Sequence, residues 1–291
     1  MSDGVDTLQH RIDGAVDLQT VVRTMKALSA GNIGQYEKAV TALAAYDQTV
    51  ELGLIACLHQ PDLQITMAAR QQKHKQVTGV IVFGSDQGLV GQFNDLLAEF
   101  VQESLKDELS NIHIWAVGER MADQLEEAGL SLSETFNVPN SIHGITALVE
   151  QLLIASESAC FEGDINQLYI FHNGASAKIG GYQTLSRRLL PFDELWQHKL
   201  RSTPWQTNNL PETLGNPQQT LQALIREYLF VSLFRACAES LASENGSRLA
   251  TMQRAEKNIG DMLDELTQTY HQLRQENIDT ELFDLIAGFT S

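Results

Sequence analysis

Cysteine is scarce in this chain and scattered. Cys57, Cys160 and Cys237 stand far apart in apolar or helical surroundings, with no C-x-x-C pair. Structural zinc sites and dithiol redox motifs need close pairs, so these three read as buried thiols in a reducing compartment. The eight histidines show no paired ligand spacing either, and neither a metal site nor a cofactor is expected. Positive charge is short as well: 20 basic residues face 37 acidic ones, a net charge of −17. The deficit is spread along the chain, with 7 acidic and 4 basic residues in 1–60, 18 and 10 in 61–204, and 12 and 6 in 205–291. A diffuse acidic surface disfavours nucleic acid and anionic lipid headgroups. It suits a solvated surface or a basic partner. Long apolar runs are missing: near the N-terminus the longest, Leu52 to Leu58, is too short to span a bilayer. The opening residues are acidic and polar, unlike a secretory signal or an Arg-rich transit peptide. These absences lead to the expectation of a soluble chain, made and kept in a cytoplasm, with no direct membrane insertion.

Proline is absent from both terminal segments. All six prolines (Pro61, Pro139, Pro191, Pro204, Pro211 and Pro217) fall between them. From Gln218 to Ala287 apolar residues recur three or four positions apart, as at Leu221, Leu224, Tyr228, Val231, Ala238, Leu241, Leu249, Met252, Ala255, Ile259, Met262, Leu266, Tyr270 and Leu273. That spacing predicts one helix with an apolar stripe. At 1.5 Å per residue it would be roughly 100 Å long, far longer than a usual globular helix, and such a rod needs a partner. Residues 3–58 supply one, with helical spacing at Leu8, Ile12, Ala15, Val22, Met25, Ile33, Tyr36, Val40, Leu43, Val50 and Leu54. Gly31 and Gly34 interrupt that stretch, and a glycine costs roughly 1 kcal/mol against alanine inside a helix, which points to a weak point or bend near Ala30–Gln35. The His59-Gln60-Pro61-Asp62 run is expected to end the helix. The organisation is therefore an N-terminal helix over 1–60, a central domain over 76–205 and a C-terminal helix over 212–291.

The central block alternates strand-like and helix-like runs. Val77 to Phe83 is apolar and β-branched, as in a buried parallel strand, and Ile112 to Val117 and Gln167 to Phe171 are further strands. Gln92 to Leu109, Glu119 to Ala128 and Thr146 to Ser158 read as helices. Such alternation predicts an α/β domain with a mostly parallel sheet and helices on its faces.

Chemistry-bearing motifs are few. The turn after the first strand, Gly84-Ser-Asp-Gln-Gly88-Leu-Val-Gly91-Gln-Phe-Asn94, stands where many α/β proteins bind phosphate. It lacks the Lys-Ser or Lys-Thr of a P-loop and the spacing of a dinucleotide fingerprint, so it reads as a tight structural turn around Gly88 and Gly91. The acidic pairs Glu126-Glu127 and Asp264-Glu265 point about 100° apart on their helices, which suits a solvated face and not a shared acid/base site. No G-x-S-x-G nucleophile motif is present. Arg187-Arg188 forms a small basic patch, read as a surface contact. Nothing argues for an autonomous enzyme and no catalytic residue is assigned.

The ordered set of motifs resembles the gamma subunit of F-type ATP synthases. In the last helix, Ser243-Glu244, Arg248, Met252, Ala255, Asn258, Tyr270, Arg274-Gln275, Ile278, Thr280-Glu281, Ile286 and Gly288 follow the family's spacing of S-E, R-M-x-A-M, A-x-x-N, Y-N-x-x-R-Q-A, I-T-x-E and I-x-x-G-A. Leu18 to Ala30 resembles its T-x-x-I-T-K-A-M-x-M-V-A-A, Ser85 to Asn94 its S-D-R-G-L-C-G-G-L-N, and Leu168 to Phe192 its strand region ending Q-L-L-P. The chain departs from the pattern where Gly31-Asn-Ile-Gly34-Gln35 replaces a basic cluster, where Gln87 replaces the turn arginine, and in its acidity.

The resemblance implies an antiparallel coiled coil of the N- and C-terminal helices around a central Rossmann-like, mostly parallel α/β domain. It implies the central rotor shaft of a rotary ion-translocating ATPase, a non-catalytic subunit with alpha and beta subunits of the catalytic head, an epsilon subunit and the membrane c-ring as partners. It implies a peripheral position on the cytoplasmic face of a bacterial or archaeal inner membrane. By the same resemblance Met25, Lys26, Arg274 and Gln275 contact beta subunits, with Arg23 and Lys38 as further positive charges. Leu282, Phe283, Leu285 and Ile286 would form an apolar tip turning in a greasy bearing. Two other readings stay open from the residues themselves. One is a small-molecule-binding α/β domain with coiled-coil arms, for which Asp86, Gln87 and Asn94 are the candidate ligands. The other is a static coiled-coil scaffold.

Overall fold

A computed structural model describes residues 2–60, 77–106, 111–162, 165, 167–176, 181–190 and 215–289, together with 198, 200, 202–205, 207 and 209. The elements are α1 (Ser2–Leu58), β1 (Thr78–Phe83), α2 (Phe93–Ser104), β2 (Ile112–Val117), α3 (Glu119–Glu127), β3 (Leu132–Phe136), α4 (Ile142–Glu162), β4 (Gln167–Ala175), β5 (Tyr182–Leu190) and α5 (Pro217–Phe289). Most of the Pro-rich connection between β5 and α5 lies outside the described residues, as do the side chains of Cys160 and Leu285.

Both terminal segments form long helices. On α1 every residue of the expected stripe from Leu8 to Leu54 is buried or half-buried. The helix runs through Gly31 and Gly34 as one element. It stops at Leu58, where Gln60 N donates to Cys57 O. On α5 the stripe is covered from Leu221 to Leu273, with Met262 the one exposed member.

The sheet has the order β3-β2-β1-β4-β5. β3, β2, β1 and β4 are parallel, and β5 is antiparallel to β4. Two strands are not legible in the sequence pattern. β3 is an edge strand whose middle residues, Ser133, Glu134 and Thr135, are exposed, and β5 is a partly exposed edge strand carrying Arg187-Arg188. The period-2 alternation of β1 to β4 sends side chains to two cores. Val80, Val82, Ile114, Ala116 and Phe171 meet α2 and α3 on one face. Ile81, Phe83, Trp115, Leu168 and Ile170 meet α4 on the other, together with the end of α1 and the first half of α5.

The chain divides into two compact units, Gly31–Ser247 and Met1–Ala30 with Arg248–Ser291. In the first, α1 and α5 run antiparallel: Gly53 lies against Leu224, Tyr46 Oη donates to Glu227 at 2.8 Å, Arg235 pairs with Asp47 at 3.1 Å, and Asn32 meets Asn245 at 3.5 Å. In the second, Arg23 and Lys26 of α1 both pair with Glu256 of α5.

Candidate functional site

The glycine turn is closed by its own side chains. Ser85 N donates to Asn94 Oδ1 at 3.1 Å, Asn94 Nδ2 donates to Ser85 Oγ at 2.8 Å, and that hydroxyl donates to the Gln87 carbonyl. Asp86 points inward across the domain. Its Oδ1 accepts from Glu119 N, the first turn of α3, at 3.0 Å, and its Oδ2 accepts from Val138 N at 2.9 Å. A carboxylate at the start of a helix satisfies an orphan amide and meets the positive end of the helix dipole. Asp86 and Asn94 are thereby committed to tying β1, α3 and the loop after β3 together. Only Gln87 of the three candidate ligands remains exposed with no such commitment.

Beside the expected Gly88 and Gly91, two further glycines are fixed by close packing in this corner. Gly84 has no room for a Cβ because Met121 of α3 packs on it, and a Cβ on Gly118, at φ +110°, would lie 2.6 Å from Ser85 backbone atoms. Gly88 has open space around it and no positive φ; the left-handed positions of the turn are Gly91 (φ +61°) and the exposed Leu89 (φ +64°). The turn lets α3 approach β1 closely. Beside it lies an open cleft of about 560 Å³ whose lining includes Asp95, Asp123, Glu126 and Glu127, against one basic group, Arg120. Arg120 is itself 3.7 Å from Asp123. Four carboxylates repel a phosphate.

In an open parallel sheet a ligand enters at the carboxyl ends of the strands, where the strand order reverses; here that point lies between β1 and β4. α5 occupies it. Ser240 Oγ donates to the Phe83 carbonyl at the end of β1 at 3.0 Å, and Ser247 Oγ donates to the Val90 carbonyl. His172 of β4 lies with Nε2 2.9 Å from Glu239 Oε2, and Gly174 of β4 sits against the same carboxylate. The side chains of Ser243, Glu244, Asn245 and Ser247 are buried here. The sequence carries one signal of this contact, the polar run Ser243-Glu-Asn-Gly-Ser247 inside an otherwise apolar stripe.

The other residues singled out from the sequence lie on the long helices. Met25 is half-buried on α1. Lys26 and Arg23 share Glu256, and the hydrogen bond from Lys26, then that from Arg23, hold the Glu256 carboxyl below the usual carboxylate range. These two cations are therefore already engaged and are not free positive charges. Arg274 and Gln275 are both exposed on α5, and Ile278, Leu282, Phe283 and Ile286 are each more than half exposed. Arg187 does more than lie on the surface: its Nη2 donates to Tyr228 Oη at 2.6 Å and its guanidinium stacks 5.5 Å from that ring. Burial raises the Tyr228 phenol above its usual range in spite of that cation. Burial likewise raises the thiols of Cys57 and Cys237, the second far above the ordinary thiol range, and both are free. Such thiols are protonated and poor nucleophiles. Among the described residues no helix is long and apolar enough to cross a membrane.

The helices and the sheet are shared with known proteins over almost the whole chain. An ATP synthase gamma chain of Moorella thermoacetica is 25 % identical over 287 residues, spanning 97 % of this chain and 96 % of that one. That of Bdellovibrio bacteriovorus is 26 % identical over 299 residues, with the same coverage. Among solved structures, a chain of the Euglena gracilis mitochondrial ATP synthase rotor has a TM-score of 0.61 at 16 % identity and covers 96 % of this chain and 100 % of its own. A chain of the central stalk and c-ring of the Tetrahymena thermophila mitochondrial ATP synthase has a TM-score of 0.56 at 18 % identity, covering 81 % and 99 %. At those identities the structures show a common fold. The family model described as ATP synthase matches residues 4–291, and the chain belongs to that family.

Proposed function

We propose that this chain is the central shaft of a rotary ATP synthase, a non-catalytic gamma-type subunit coupling ion-driven rotation to ATP synthesis or hydrolysis in a ring of alpha and beta subunits. The observation that carries the reading is the seating of α5 at the carboxyl ends of β1 and β4. The place where an α/β domain would take a small molecule is filled by the chain's own long helix, so the sheet grips a helix and presents no ligand crevice there. That counts against the ligand-binding alternative. Family membership over residues 4–291 and gamma-chain relatives matched end to end support the same reading.

In this reading the helical segments 1–60 and 212–291 are the shaft and 76–205 is the foot, which packs on the epsilon subunit and the membrane c-ring. The chain is peripheral, on the cytoplasmic face of a bacterial or archaeal inner membrane. Torque is then a bias among conformational states of the ring: an asymmetric shaft packs differently against each beta subunit and favours different nucleotide-binding states. Arg274 and Gln275 reach a loop of one beta subunit. Met25 and Lys26 face another, but Glu256 offsets one of the two cations there, so the face offers a single net positive charge. The exposed apolar end at Ile278, Leu282, Phe283 and Ile286, with Leu285 beside them in sequence, turns in an apolar sleeve. Charged anchors there would favour one rotational position, because a desolvated ion pair is costly to break. The test is co-expression with the alpha and beta subunits of the same source, followed by sizing and an ATPase assay. A three-to-three-to-one complex with turnover is expected. A monodisperse chain that ignores both subunits would refute the reading, and a stable symmetric homodimer would favour a static scaffold.

A further inference from the structure

Asp47 and Arg235 are the charged members of rows that are otherwise uncharged. Along the covered side of α1, residues seven apart form two rows: Ile33, Val40, Asp47 and Leu54, and Tyr36, Leu43, Val50 and Cys57. All of them are buried or half-buried. On α5 the matching rows are Leu221, Tyr228, Arg235 and Ala242, and Leu224, Val231, Ala238 and Asn245, again all buried or half-buried. A spacing of seven on both helices is the coiled-coil repeat. The two charges meet: Arg235 Nη1 lies 3.1 Å from Asp47 Oδ2, and the side chains keep only 29 % and 23 % of their surface exposed. Arg235 Nε also lies 4.0 Å from Glu239 Oε1, whose Oε2 faces His172 Nε2 of β4 at 2.9 Å.

An ion pair at this depth adds little net stability, because the lost hydration of both ions offsets most of their attraction. What it does is penalise wrong pairings. Apolar contact is non-directional, and both helices repeat it every seven residues. Sliding α1 by one heptad, roughly 10 Å, sets aliphatic groups against aliphatic groups again at most levels. It also sets Val40 or Leu54 against Arg235, and Tyr228 or Ala242 against Asp47. Each charge would then lie among apolar side chains without its partner, which is costly. α5 cannot follow the slide, since Ser240 Oγ donates to the Phe83 carbonyl and Glu239 meets His172.

We propose that Asp47 and Arg235, with Glu239 and His172 behind them, form a register lock. The lock selects one alignment of α1 on α5 and on the sheet, and contributes specificity more than stability. A single polar layer inside an apolar repeat fixes register in coiled coils by the same physics. In a shaft that carries torque it would keep the two helices from sliding past each other. The inference concerns residues 31–58 of α1 and 217–247 of α5, and it stands whether or not the shaft reading does.

Distances between spin labels on the full chain test it. The labels go on the exposed positions Thr41 and Gln222, attached through an unnatural ketone side chain so that the native cysteines are left alone. The parent chain is expected to give a single distance by double electron–electron resonance. Asp47→Leu with Arg235→Leu should keep a melting midpoint no lower than the parent's, yet add a second population displaced by roughly 10 Å, one heptad. Asp47→Leu alone should melt a few degrees below that double variant, because it leaves Arg235 unpaired. Asp47→Asn with Arg235→Gln keeps the size of both side chains and should show the displaced population at a lower level. The parent distance alone in both double variants overturns the proposal. So does a leucine double variant less stable than Asp47→Leu alone, or failure of both double variants to fold, because the pair would then be a stability element.

Discussion

Asp86 decides between a ligand-binding and a structural glycine turn, and its removal has a calculable effect. The carboxylate accepts two backbone amides, Glu119 N at 3.0 Å and Val138 N at 2.9 Å. Hydrogen bonds to charged groups contribute about 1.5–3 kcal/mol each, and partial exposure of Asp86 argues for the low end or below. Asp86→Ala removes both and leaves two amides to find water, so the expected loss is about 2–4 kcal/mol. Asp86→Asn keeps one acceptor oxygen but turns an NH₂ towards the other amide; about half the loss, ~1–2 kcal/mol, is expected. For a unit of roughly 200 residues, 3 kcal/mol lowers the melting midpoint by about 6–12 °C. Urea unfolding followed by tryptophan fluorescence, to which the buried Trp115 contributes, reads the same loss as a shifted midpoint at constant slope. Gln87→Ala, an exposed neighbour, should stay within about 0.5 kcal/mol of the parent chain. An Asp86→Ala chain as stable as the parent, or more so, would refute the structural account and make the carboxylate a candidate ligand again.

Gly118→Ala combines a strained φ of +110° with a Cβ 2.6 Å from Ser85 backbone, so a loss of about 3 kcal/mol or more, or failure to fold, is expected; a midpoint shift equivalent to less than about 1 kcal/mol would contradict it. Arg274→Ala should leave the stability of the chain within about 0.5 kcal/mol, because the side chain is exposed, yet lower ATP turnover of the assembled complex more than Glu265→Ala does. Equal turnover of the two variants would remove the case for a beta-subunit contact at Arg274. Glu256 has a folded pKa below its unfolded value, so its contribution to stability is present above the ordinary carboxylate range and is lost as pH falls through the depressed folded pKa. Thermal melts of the parent and Glu256→Gln chains should therefore differ near neutral pH and converge on acidification; a gap that persists below that range would mean the pair is not what stabilises the contact.

What could be read along the chain is the part whose signal is local and repeated. The stripe from Leu8 to Leu54 and that from Leu221 to Leu273 set two long helices, because a 3.6-residue period can be read without knowing what covers it. The apolar β-branched run of β1, the strand of β2 and the alternation with helices set a mostly parallel sheet in the same way. The edge strands escaped because an exposed strand need not alternate: Ser133-Glu-Thr135 is polar throughout, and Arg187-Arg188 reads as a surface patch until β4 pairs with it. The roles of the polar groups depend on the packed fold. Asp86 meets Val138 52 residues away, His172 meets Glu239 67 away, Ser240 meets Phe83 157 away, and Lys26 meets Glu256 230 away. Each partner is chosen by how two cores and two long helices stack. A hydrogen-bonding group carries no periodicity that announces its mate, whereas an apolar stripe requires only that something apolar cover it.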